Sequence, residues 1–259
     1  MNIILHADDF GYDEDTCRAT IDLFEKGVLK SATIMVNMPA SGIAIEYAKK
    51  HPEFSFGVHL TYVDGLLPVS TPENITSLIN SENRFLPSNE VRKRALTFRL
   101  KKQDIINESL EQINVLKKAG VKVSHLDSHG HLHKFPAFLS ALNDISEKAG
   151  ITKIRRVQNI FVAPHKSGIS SVLNAMFGKY ISSHFKSTDY FYMPANSMDT
   201  HWSESILQQI ESLPENAILE TGVHPGTDED WRMKEYLDIQ EFAKKMIPTK
   251  HRLINWNEL

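Results

Sequence analysis

Polar residues able to do chemistry recur at one kind of place in this 259-residue chain, just after a short apolar run. One run ends in His6-Ala7-Asp8-Asp9-Phe10-Gly11 and another in Gly57-Val58-His59-Leu60. A third opens into His125-Leu126-Asp127-Ser128-His129-Gly130-His131-Leu132-His133. Arg155-Arg156 and Thr221-Gly222-Val223-His224-Pro225-Gly226 complete the set. Carboxylate oxygen and imidazole nitrogen together suit a divalent ion, and three protein ligands leave positions open for water. Asp9, His59 and His129 follow three different runs and can converge on such an ion. The single cysteine, Cys17, excludes an intrachain disulfide and any Cys-built zinc or iron–sulfur site.

Each motif has a plainer reading. A lone histidine such as His59 is more often a hydrogen-bonded core imidazole, and the neighbouring Asp8-Asp9 and histidine cluster tip the balance toward ligation. On an extended chain, period two puts His129, His131 and His133 on one face. Either His129 and His131 share a metal, or one ligates while the others line the site. Asp127 can orient a ligand histidine from behind. The spacing does not choose among these. Asp8 and Asp9 would point to opposite faces of a regular strand, so the strand must end or turn there, with Gly11 allowing it. One carboxylate can then bind metal while its neighbour reaches the metal's water; a helix cap would need only one. His224 sits in a constrained His-Pro-Gly turn, suited to holding a general acid opposite the metal. Arg155 or Arg156 can keep Asp8 ionised or bind an anionic group of a substrate.

Elements must position these residues. Short apolar runs at 2–7, 31–37, 54–60, 121–126, 153–157, 189–193, 217–223 and 252–255 read as strands. Helix-period stretches separate them, including 90–119 with a break near Lys101. This alternation predicts a parallel sheet covered by helices, and the length favours a (β/α) barrel-like fold of seven or eight mainly parallel strands, distorted or incomplete relative to a TIM barrel. An open doubly wound sheet is the runner-up, weakened by the lack of a Gly-rich fingerprint after the first strand. With no linker or repeat, residues 1–259 read as one domain. The active edge of such folds is the C-terminal end of the strands, where the motifs fall.

Composition closes other routes. The net charge of −3 lacks the basic footprint of a nucleic-acid binder. No apolar run approaches the roughly 18 residues of a membrane span. The N-terminus has no basic region followed by a long apolar one, so a cytoplasmic location is expected.

Taken in order, Ala7–Gly11, Gly57–Leu60, His125–His133, the Arg155 region and His224–Gly226 resemble the YdjC-like carbohydrate deacetylases, the family of chito-oligosaccharide deacetylases. The likeness runs over nearly the whole chain. It implies a barrel-like fold, a divalent metal, and removal of an N-acetyl group from an amino sugar or short chito-oligosaccharide, with or without a phosphate. By motif position, Asp9, His59 and His129 are the implied metal ligands, Asp8 the base and His224 the acid. Asp127, His131, His133 and Arg155 are the expected supporting or substrate residues. The resemblance also implies a small carbohydrate as partner and a homodimer. Glu220-Thr221-Gly222 departs from the more apolar residues usual before the last motif. Between zinc and magnesium, two imidazoles favour zinc or another transition ion, since Mg²⁺ prefers oxygen ligands. The rivals are a metal-dependent hydrolase of another amide or a phosphoester, and a carbohydrate-binding protein without turnover. The polar stretch 61–89 should overhang the same edge, with Tyr62, Trp202 or Trp231 available to stack on a sugar. His51, His165, His184, His201 and His251 carry no assigned role.

Overall fold

The computed structural model describes residues 1–161, 169–194, 202–246 and 249–259. His165 and His201 lie outside the described residues. The elements run β1 (Asn2–Phe10), α1 (Glu14–Glu25), β2 (Ser31–Ile34), α2 (Ser41–Lys50), β3 (Ser55–Leu60), α3 (Ser88–Leu96) and α4 (Lys102–Lys118). They continue with β4 (Val123–Ser128), α5 (Pro136–Ala149), α6 (Ile169–His184), β5 (Tyr190–Tyr192), α7 (Trp202–Ile210), β6 (Ile218–Val223), α8 (Asp230–Met246) and β7 (Arg252–Leu253). The seven strands form one sheet in the order β4-β3-β2-β1-β6-β5, with β7 beside the start of β1. Every strand pair is parallel. The sheet is curled into an incomplete barrel with helices around it.

The expected strand over 153–157 is not regular. Its residues span the gap between the sheet's two edges. Arg155 N–H donates to Leu126 O at 3.0 Å on the β4 side, while Asn159 and Ile160 N–H both donate to Phe191 O at 3.2 Å on β5. A segment bonded to two diverging edges cannot pair along either for long, and only Lys153 and Ile154 make single ladder bridges. The 90–119 stretch is two helices, parted where Phe98 takes a left-handed φ of 54°.

Local chemistry sets the helix ends. Asp13 caps α1, its Oδ1 accepting from Thr16 N–H at 2.7 Å. Asp8 and Asp9 are therefore not the cap. Pro136 opens α5 and left-handed Gly150 closes it. The polar 61–87 connection is held down by two buried acids of α4. Glu108 accepts from Val69 and Ser70 N–H, and Asp104 from Ser77 N–H.

The strand period sorts β1 into two faces. Ile3, Leu5 and Ala7 join the main apolar core. Ile4 faces the barrel interior, where Ile254 and Trp256 plug the base. Above them lie His6 and His125, ring centroids 4.9 Å apart, with His125 stacked on Trp256 at 4.4 Å. Asp8 comes next, level with the functional residues. Interior layers of such barrels are usually branched and apolar; here only the lowest layer is.

Candidate metal centre and active site

Asp8 and Asp9 owe their directions to an irregularity in β1. The register with β2 shifts between Ala7 and Phe10, and Asp9 has φ 59°. Both carboxylates end up on the inner side, each 2% exposed. Gly11, at φ 105°, completes the turn; a Cβ there would lie 2.9 Å from Met35 O.

Around Asp9 the structure gathers ligand-type atoms from three strand ends. Asp9 Oδ1 lies 3.3 Å from His59 Nε2 and 3.0 Å from His129 Nδ1. The three donor atoms all fall within 4.8 Å of one another. The other nitrogen of His59 is taken, since Nδ1 sits 2.7 Å from Asp127 Oδ1. That leaves Nε2 for an ion. Thr33 Oγ1 donates to the second oxygen of Asp127 at 3.0 Å. The donor set of two imidazoles and one carboxylate fits zinc or a similar divalent ion, with room for further ligands. Burial lowers the His59 pKa, but Asp127 and the hydrogen bonds to Asp127 and Asp9 outweigh it, pushing it up to about 10. A cation at this place must displace that proton.

A second cluster surrounds Arg155, which is fully buried. Its guanidinium grips both oxygens of Asp8 at 2.7 Å, Asp127 Oδ2 at 2.6 Å and Glu220 Oε1 at 2.9 Å. His6, Asp8 and Asp127 also form a metal-like group by distance, but the guanidinium already supplies its positive charge. Burial raises the Asp8 pKa, and Arg155 overrides this, holding the carboxyl well below its usual range. Burial, with the neighbouring charges of Asp127 and Asp8, raises the Glu220 pKa to about 7 against the pull of Arg155.

His224 stands at the end of β6. Its Nε2 is 3.9 Å from Asp8 Oδ2 and its Nδ1 is 3.6 Å from Glu235 Oε2 on α8. Glu235 also accepts from the His224 backbone N–H at 3.1 Å. Burial disfavours the imidazolium, but Glu235, joined by Asp9 and Asp8, outweighs it and raises the His224 pKa.

The 129–133 segment corrects the extended reading. It is a 3₁₀ turn in which Gly130 and His131 take left-handed angles, so its three histidines do not share a face. His129 alone joins the Asp9 group. His131 Nε2 lies 3.2 Å from Met193 Sδ, and His133 Nδ1 lies 2.8 Å from Ser128 Oγ. Tyr62 and Trp202 are core side chains, 1% and 0% exposed. Trp231 stays at the site, its ring 5.9 Å from that of His224.

Two side chains here carry no signal in the motifs, and a third, Glu220, stands out in the sequence only as a departure before the last motif. Arg232 of α8 donates to Asp9 Oδ2 at 2.9 Å, sandwiched between Trp231 and Tyr12. Glu235 orients His224. Glu220 completes the Arg155 cluster. A charge inside the apolar run 217–223 was a signal for Glu220; nothing in the spacing on α8 marked the other two.

These features define a barrel-like α/β protein with a candidate divalent-metal centre at the C-terminal ends of its strands. The chain belongs to the YdjC-like protein family, whose model matches residues 2–257. It is 29% identical to a carbohydrate deacetylase of Brevibacillus brevis over 226 residues, 87% of this chain and 82% of the relative. A carbohydrate deacetylase of Vibrio parahaemolyticus is 28% identical, covering 96% of this chain and 88% of that one. A more local match, 33% identical, takes in 57% of this chain and 61% of a carbohydrate deacetylase of Halalkalibacterium halodurans. Among solved structures, an Enterococcus faecalis V583 protein named for a proposed cellobiose-phosphate cleavage shares the fold. Its TM-score is 0.79 at 21% identity, over 99% of this chain and 98% of that one.

Proposed function

We propose that this protein is a divalent-metal-dependent carbohydrate N-deacetylase, hydrolysing the acetamide of an amino sugar or short chito-oligosaccharide to acetate and a free amine. The observation that carries the reading is the juxtaposition at one rim of Asp9, His59 and His129 with a second carboxylate, Asp8, and an acid-competent imidazole, His224. The names of two relatives matched over most of their length, both carbohydrate deacetylases, support the deacetylation of a carbohydrate.

Asp9 Oδ1, His59 Nε2 and His129 Nδ1 would hold the ion, with zinc or another transition metal suited to them. When bound, it supplies a Lewis acid for the acetamide oxygen and lowers the pKa of water. The chain's own groups do the rest. Asp8 accepts the water's proton as the water oxygen attacks the carbonyl carbon. Arg155 keeps Asp8 ionised and fixed, at a cost in basicity. His224, held by Glu235, donates its proton to the nitrogen as the C–N bond breaks, because an amide nitrogen does not leave as an anion. Asp127 fixes the His59 ring, and Arg232 keeps Asp9 Oδ2 occupied so that Oδ1 faces the ion. A binding protein would need neither Asp8 nor His224 so placed. The small-carbohydrate substrate fits the half-exposed Trp231 at the rim, since sugar faces stack on such rings.

The test is acetate release from diacetylchitobiose. Turnover should vanish with a chelator and return with Zn²⁺. Absence of acetate from every N-acetylated sugar offered to metal-restored protein overturns the reading.

A further inference from the structure

Arg155 and Arg156 are neighbours in sequence, yet only the first belongs to the barrel interior. Arg156 lines a separate cavity of about 320 Å³ between the 156–161 segment and α6. None of the residues of the metal centre or of the Arg155 cluster lines it. The cavity exists because α6 turns small and polar residues to this side: Ser171, Asn174, Ala175, Gly178 and Ser182 follow the helical repeat. Its size falls at the lower end of small-molecule sites, roughly 300–1,000 Å³.

The lining chemistry is one-sided. Arg156 and Lys179 are its charged members, and no carboxylate lines it among the described residues. Asn159, Asn174, Gln158 and the serines add neutral polar groups, while Val157 and Phe161 add apolar wall. Arg156 Nε and Ser171 Oγ are buried with no hydrogen-bond partner. Asp189 attracts Arg156 without a hydrogen bond to it, and its Oδ2 accepts from Ile218 N–H at 2.9 Å. A buried guanidinium N–H without an acceptor carries a desolvation cost that an incoming oxygen would relieve.

We propose that this cavity is a second ligand site, distinct from the metal centre, for a small organic oxyanion, its phosphate or carboxylate oxygens on Arg156 and its carbon body against Val157, Phe161 and Ala175. Occupancy there braces the backbone that carries Arg155 on its other side. The inference stands apart from the deacetylase reading, because it is tested by binding and not by turnover.

Calorimetric titration with glucose 6-phosphate and with gluconate separates the phosphate and carboxylate sources. At least one should bind saturably and one-to-one to wild type. Asp9→Asn and chelator-treated protein should bind it equally well. Arg156→Gln should weaken binding about tenfold or more, the scale of a lost charge-assisted hydrogen bond. Ala175→Leu, which fills the cavity from an exposed helix position, should abolish it in a protein whose thermal melt is unchanged. No saturable binding of either probe, binding that survives both cavity substitutions, or binding lost on Asp9→Asn overturns the proposal.

Discussion

Asp8 and Asp9 are adjacent in sequence and each meets an arginine, yet the two surroundings differ. Arg155 on the Asp8 side is sealed, with Asp8, Asp127 and Glu220 around it. Arg232 on the Asp9 side lies at a rim where the His129 and His224 side chains are 31% and 22% exposed. One Nη of Arg232 reaches Asp9, while the other is buried without a partner. The inner arginine gathers three carboxylates into a closed knot; the outer one borders the more exposed side of the candidate metal group. Rigidity and access are thus assigned to neighbouring carboxylates by a single irregularity in β1.

The comparison is broken most directly by removing each arginine. Arg155→Met leaves the buried Asp8 without the guanidinium that grips both its oxygens, and uncompensated buried charge costs about 3–5 kcal/mol. Arg232→Met should cost clearly less, because Asp9 keeps His59 and His129. Urea unfolding of the two variants measures this, and equal losses would erase the distinction between the sealed and open sides.

The second contrast is between the carboxylates themselves. Asp8→Asn should retain metal by elemental analysis while turnover falls about 10²–10⁴-fold, the usual worth of a general base. Asp9→Asn should lose both metal and turnover. Metal loss in Asp8→Asn with full occupancy in Asp9→Asn would reverse the roles.

These two carboxylates also show how far the sequence can be read. Adjacent acids after an apolar run could not both serve a regular strand, so a turn was foreseeable, as was convergence of strand-end histidines in a parallel fold. The partners on α8 were not. Arg232 and Glu235 reach the site because α8 follows the His224 turn and leans over the rim, a tertiary placement that leaves no local spacing. The 129–133 turn was also hidden. Alternating histidines suggest an extended chain, but Gly130 and His131 adopt left-handed angles, and a non-glycine residue there is stabilised only by its surroundings. The segment at 153–157 looked like a strand because its composition is that of one; the missing ingredient was a straight neighbour to pair with. Tyr62 and Trp202 illustrate the opposite limit, since aromatic content alone does not separate a sugar platform from core.

A third test uses the acid on the open side. Glu235 raises the His224 pKa, and a general acid must be protonated to act. Glu235→Gln should therefore move the alkaline limb of the pH–kcat/KM profile to lower pH, with several-fold loss on that limb and little change below it. An unmoved limb would detach Glu235, or His224, from proton donation.

The last test belongs to the sealed side and appears as stability. His133 is 3% exposed, and burial, helped by Arg155 and Lys134, lowers its pKa to about 3 from the ordinary 6.5. The folded state then binds fewer protons than the unfolded one, so stability rises with pH across this window. Its contribution is present in full above about 6.5 and is lost progressively as the pH falls toward 3. His133→Gln should flatten the acid limb of the stability–pH curve between those values and leave the region above pH 7 nearly parallel to wild type. His224 has the opposite sign: its raised pKa adds stability below its unfolded value, lost as the pH climbs through the folded one. A His133→Gln curve as steep as wild type in acid would mean that other buried imidazoles, His6 and His125 first, carry the limb instead.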